Sequence, residues 1–225
     1  MPRSAPPSVP FALFQFTDSA CPTGGFAHSS GVEELVKVGL IRDAGDLLAV
    51  LTCYVEESLP GRELAFVGHA WDAGRNGDPT AVTTLVRERI ATRLTRSARD
   101  AEGQRGQALL RVVEAVTGRD PLSTAAAGSH AVLFGVAGSA VGADRRSVLR
   151  ASAFNQVSAM AQAAVRLGRI GPTGAQHVLG RLAGPLERAV EESEERTHGE
   201  WHGFSPTWEL AQSRHEHRAS GMFIT

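Results

Sequence analysis

Residues 78 to 94 read DPTAVTTLVRERIATRL, and how that stretch is read decides the fold. Asp78 offers a side-chain oxygen to the first free amides of a helix, and Pro79 follows at the position where a missing N–H costs nothing. Val82, Leu85, Val86, Ile90 and Leu94 then recur at helical spacing, so the pattern predicts a helix running to about Ala101 with those five residues on its buried side. Arg87, Arg89, Arg93, Arg96 and Arg99 are interleaved with them and read as a solvated face, paired in part with Glu88, Asp100 and Glu102.

The same grammar extends outward in both directions. Toward the N-terminus, Asp43 caps a helix striped by Leu47, Leu48, Val50, Leu51, Tyr54 and Val55 that Pro60-Gly61 ends. A further helix spans Glu63 to Ala73, before the breaker Gly74-Arg75-Asn76-Gly77. Toward the C-terminus come Gln107 to Val116 closed by Gly118, then a loop over 119 to 129. His130 to Gly142 follows as a small-residue, apolar segment suited to close core packing. Asp144 caps Arg145 to Leu167. Gln176 to Arg196 reads as one helix kinked at Gly184-Pro185, and Ser205-Pro206 opens a last short helix by cap-then-proline logic. No alternating runs flank a hairpin turn. The expectation is an all-α, single-domain helical bundle of about eight to ten helices. Residues 1–9, rich in Pro and Ser, read as disordered, 10–204 as the helical domain, and 205–225 as a C-terminal helix and tail.

Composition narrows the function classes. With 225 residues the chain can bury a substantial core, and a formal net charge of -1 gives no field that would favour nucleic acid or an anionic membrane. The N-terminus lacks the apolar stretch of a signal peptide, and no run approaches the ~20 apolar residues of a membrane span. Only two cysteines occur, Cys21 and Cys53, without a Cys-x-x-Cys pair. That usage fits a reducing, cytoplasmic setting.

Chemistry-bearing residues concentrate in residues 17 to 34, TDSACPTGGFAHSSGVEE. Pro22, Gly24, Gly25 and Gly31 license an irregular backbone, and Thr23, His28, Ser29 and Ser30 supply short polar groups to satisfy it. The loop is set between a short apolar helix, Phe11 to Phe16, and a helix opening near Ser30. Cys21 and His28 could form a thiol and its base in an all-helical enzyme, provided a buried cavity joins them and the thiol is activated. A packed loop with Cys21 as apolar filler is the simpler reading. His198 and His202 lie four apart, and His215 and His217 flank Glu216. Such spacing suits Ni or Zn on a helix, although Gly199 and Gly203 argue against a regular helix there. There is no phosphate-binding Gly-x-x-x-x-Gly-Lys-Ser/Thr and no His-Glu-x-x-His. A helical regulator of nucleic acid lacks both the charge and the helix-turn-helix spacing.

The loop pattern Asp18, Ser19, Pro22, Gly24, Phe26, His28, Ser29, Gly31 and Glu33 resembles the N-terminal signature of the UreF family of urease accessory proteins. Four further segments resemble that family in the same order: Arg99 to Gly106 with Leu109-Leu110; His130 to Gly135; Val165-Arg166-Leu167-Gly168 with Gly171 and Gln176; and Ser205-Pro206 through Glu216. The resemblance implies an all-α, dimeric, non-enzymatic chaperone that bridges a UreD (UreH) protein and the GTPase UreG, so that nickel reaches apo-urease. Nickel would be handled by the complex and GTP bound by the GTPase, with no cofactor held stably here. Arg166 matches the family's GTPase-facing basic site. Arg214, His215, Glu216 and Phe223 match the tail that orders on the UreD partner. The end of the chain departs from the family's Arg-Leu-Phe-x-Ser, since Gly221 stands where the arginine would be, while Glu209 replaces the usual Asp.

Overall fold

The computed structural model of the chain describes residues 9–118, 122–203, 205–216 and 222–223. Among them there are twelve α-helices and no strand. In order they are α1 (Phe11–Thr17), α2 (Val32–Lys37), α3 (Ala44–Glu57), α4 (Ala65–Asn76), α5 (Pro79–Ala91), α6 (Arg96–Thr117), α7 (Ser123–Ala126), α8 (His130–Ala140), α9 (Arg145–Arg166), α10 (Pro172–Arg181), α11 (Ala183–Glu195) and α12 (Pro206–Glu216). Ten of these have seven residues or more. The all-α expectation therefore stands, with two additional helices: α7, in the stretch read as a loop, and one more from the division of the segment read as a single helix from Gln176.

Caps read from the sequence are made where expected. Asp43 accepts from the Asp46 amide, Asp78 from Thr80 and Ala81, and Asp144 from Ser147. Thr95, which the sequence reading passed over, caps α6 through the Ala98 amide. At α12 the proline stands at the helix start, but the Ser205 hydroxyl is buried without a hydrogen-bond partner, so the cap is not made.

Three boundaries move. The helix from Asp78 stops at Ala91, and Thr92 to Leu94 turn out before α6 begins, leaving Leu94 68% exposed instead of buried. Arg99 explains the break: its guanidinium bonds the Arg93 and Leu94 carbonyls, which a continuous helix would have used internally. The segment from Gln176 is two helices divided at Leu182. Pro185 has no N–H for the carbonyl one turn before it, which favours a break there. Pro60-Gly61 does not end the helical path either. Pro60–Leu64 is a π-turn, widened by one residue, which leads directly into α4.

The core centres on α8, in which His130 through Gly138 are all buried, and its largest partner is α4. Close approach needs small residues. A Cβ on Gly135 would lie 2.3 Å from the Val67 carbonyl oxygen, so the two helices touch through backbone there. Phe134, Phe66, Leu64, Leu109 and Leu149 fill the space around that contact in one continuous cluster from Leu13 to Phe223. Each large side chain so buried contributes about 1.5–3 kcal/mol. No helix among the described residues is long and apolar enough to cross a membrane.

Candidate functional site

Arg89 lies at i+7 from Val82 and i+4 from Leu85, on the stripe that α5 turns inward, and its side chain is 0% exposed. The solvated-face reading of the arginines fails here and at Arg93. Arg89 donates to Glu63 and to the Arg62 carbonyl, both on the π-turn, and also to Glu102 of α6 at 3.3 and 3.2 Å. Arg93 adds a donor to Glu102 at 2.6 Å, and the Ser129 hydroxyl and Ala131 amide complete that carboxylate at 2.8 and 3.1 Å. Burial alone would raise the Glu102 carboxyl, but Arg89 and Arg93 outweigh it and hold it well below the usual carboxylate range. The π-turn is what turns Glu63 and a backbone carbonyl toward the same guanidinium.

The signature loop lies over this cluster. Gly24 and Gly31 take left-handed backbone angles, φ 73° and 95°, and Gly31 also admits α12, since a Cβ there would meet Trp208 at 3.2 Å. His28 and Ser29 are buried beneath the loop, while the Phe26 side chain is outside the described ones. Arg105, on α6, reaches under the loop to within 3.5 Å of His130 Nε2. Burial and the Arg105 charge push the His28 imidazole down to about 4, and the same two causes hold His130 well below its ordinary value. The unfolded chain therefore binds more protons than the folded one once the pH falls below about 6.5. Stability should be full at neutral pH and decline through pH 6 to 4. The expected result is a lower denaturant midpoint at pH 5 than at pH 7, with His28→Gln flattening the difference; an unchanged midpoint would contradict it.

Cys21 and His28 do not form a reactive pair. Cys21 opens into a cavity with Asp18 and Arg166, whereas His28 faces a separate one with Tyr54, Arg62 and Trp208. Burial first, and then the Asp18 charge, raise the Cys21 thiol, the reverse of an activated nucleophile. The histidine pair near the C-terminus is likewise divided. His198 pairs with Glu88 at 3.2 Å, and His202 meets an Arg196 Nη1 at 3.0 Å. Among the described residues no group of three His, Cys, Asp or Glu side chains has metal-ligand geometry. His217 and Gly221 lie outside the described residues, as do the side chains of His215 and Glu216.

The matched positions on the tail and on α9 meet. Glu33 of α2 accepts from the backbone amides of Met222 and Phe223 at 2.8 and 3.2 Å. The Phe223 ring is buried and lies under the Arg166 guanidinium, 4.3 Å from carbon to ring centroid. Such a contact is worth about 0.5–2 kcal/mol. Beside it, α12 packs onto the bundle through Trp208, edge-on to Tyr54 at 5.3 Å, and through a Glu209 pair to Arg62. Arg214, further along α12, is exposed. Glu33 of α2, the α9 arginine and the tail aromatic thus form one patch, although the family resemblance assigns Arg166 and Phe223 to different partners. The missed residues, Glu63, Arg89 and Glu102, announce themselves only by Arg89 standing on an apolar stripe.

The family model described as UreF matches residues 41–183. A urease accessory protein UreF of Methylibium petroleiphilum is 31% identical over 235 residues, covering 99% of each chain. Its counterpart in Trichodesmium erythraeum is 29% identical over 224 residues, covering 96% of this chain and 97% of that one. A urease accessory protein F of Oryza sativa subsp. indica is 30% identical over 227 residues, covering 96% of this chain and 85% of its own length. The resemblance first met in the loop pattern therefore extends over nearly the whole chain, which belongs to the UreF family of urease accessory proteins.

Proposed function

We propose that this chain is a non-catalytic, dimeric scaffold of the cytoplasm that bridges a UreD (UreH) protein and the UreG GTPase, so that the assembly delivers nickel to apo-urease. Nickel is then the cargo of the complex, and guanine nucleotide belongs to the GTPase. The observation that carries the reading is the patch formed by Glu33, Arg166 and Phe223 in a chain of this family. It joins the signature loop to the tail, and a surface built from both can relate one partner to another. The guanidinium edge of Arg166, held over the buried Phe223 ring, is suited to recognition.

Arg166 gives the direct test. Arg166→Ala removes a partly buried guanidinium that bonds the Gln162 carbonyl at 3.4 Å and stacks on the Phe223 ring. The fold should survive, with a helical spectrum like the parent's. Recruitment of the GTPase in a pull-down should fall about tenfold or more, the scale of a lost charge-assisted contact. Undiminished recruitment would count against Arg166 as the contact.

A further inference from the structure

Glu33 stands in the first turn of α2, and α2 packs against both α9 and α12. Its side chain is thus carried on a short helix between the element that bears Arg166 and the one that leads into the tail. One carboxylate oxygen accepts from the Met222 amide at 2.8 Å, and the other accepts from the Phe223 amide at 3.2 Å. A carboxylate that bridges two consecutive amides grips main chain, whatever side chains the tail carries. That bears on this chain, because Gly221 stands where the family pattern has an arginine.

The ring of Phe223 follows directly from that grip. It is buried, and the Arg166 guanidinium lies over it with its carbon 4.3 Å from the ring centroid. Contact with a ring uses the flat face of a guanidinium, whereas its N–H donors lie in the plane. Arginine is also a long side chain with many rotamers, and holding it in one place before a partner arrives lessens the ordering that binding demands. The chain of contacts runs from carboxylate to amide, from that residue's ring to the guanidinium.

We infer that Glu33 is a positioning residue for the GTPase contact, acting on Arg166 through Phe223. The inference rests on the function proposed above and names what controls its Arg166 contact. The last glutamate-bearing position of the signature pattern then works at the far end of the chain, by seating a tail aromatic beneath the α9 arginine.

The test measures GTPase affinity on the chain already saturated with UreD. It compares the parent with Glu33→Gln, Phe223→Leu and Arg166→Ala, and with the first two each combined with the third. Glutamine keeps the shape of Glu33 but sets a donor against an amide where an acceptor stood. Glu33→Gln and Phe223→Leu should each keep a parent-like helical spectrum and weaken GTPase binding about threefold or more, the scale of a lost contact between cation and ring. In the Arg166→Ala background neither should weaken it further, since a residue that acts only through Arg166 then has nothing left to place. A merely structural role would not cancel in this way. Losses that add to that of Arg166→Ala, or unchanged affinity in the single variants, would overturn this inference and leave the scaffold standing. If Glu33→Gln does not fold, Glu33→Asp, which draws the carboxylate back by one methylene, takes its place with the same two outcomes. Failure of the UreD-saturated parent to bind the GTPase would overturn the proposed function, and this inference with it.

Discussion

Arg89→Ala is expected to lower unfolding stability by about 3–5 kcal/mol, the range for breaking a buried ion pair by removing one partner. The side chain is wholly buried, and its loss would strand Glu63, Glu102 and the Arg62 carbonyl around a dry gap. Arg93 reaches both carboxylates, at 3.5 and 2.6 Å, but one guanidinium cannot occupy the place of two. Arg89→Lys should recover only part of the loss, because an ammonium lacks the planar fork that spans Glu63 on one side and Glu102 on the other. Chemical denaturation at pH 7 measures the effect. A loss under 1 kcal/mol for Arg89→Ala would mean that the cluster is solvated and does not hold the π-turn in place.

Gly61→Ala should produce the second large effect. The segment linking α11 to α12 crosses the π-turn so closely that a Cβ on Gly61 would lie 1.8 Å from the His202 carbonyl oxygen. Backbone cannot yield by that amount without the strap lifting, and overpacking of this kind costs about 1–3 kcal/mol or more. The strap carries Trp201, stacked on Phe66 with centroids 4.1 Å apart, and leads to Trp208 at the signature loop. The variant should therefore remain helical but show tryptophan emission shifted to the red, together with faster amide exchange across α12. Parent-like emission and exchange would show that the strap bears no such contact.

Much of this fold could be read from the chain because its instructions are local. Asp43, Asp78 and Asp144 cap helices whose apolar spacing begins at once, and glycine or proline marks most of the ends. The errors come where a distant residue decides. Nothing within a few positions of Leu94 says that Arg99 will bond the carbonyls at 93 and 94 and break the helix. Nothing near Pro60 says that a π-turn will be held open by Arg89. Arg89 itself was the available signal, a charge at an inward-facing position, and interleaving with four exposed or half-exposed arginines concealed it.

The candidate site divides in the same way. The glycines at 24 and 31 declare an irregular loop from sequence, and the Gly31 contact with Trp208 gives that residue a second reason. The meeting of Glu33, Arg166 and Phe223 joins residues more than fifty positions apart, so spacing carries no trace of it. The separate cavities of Cys21 and His28, seven positions apart, are equally invisible in the chain.

The claim that this chain bridges two partners is tested most directly by co-expressing it with the UreD and UreG proteins of the same source and measuring the mass of the product by size-exclusion chromatography with light scattering. The account predicts one assembly containing two copies of this chain together with both partners. A chain that elutes alone, apart from both, would contradict it.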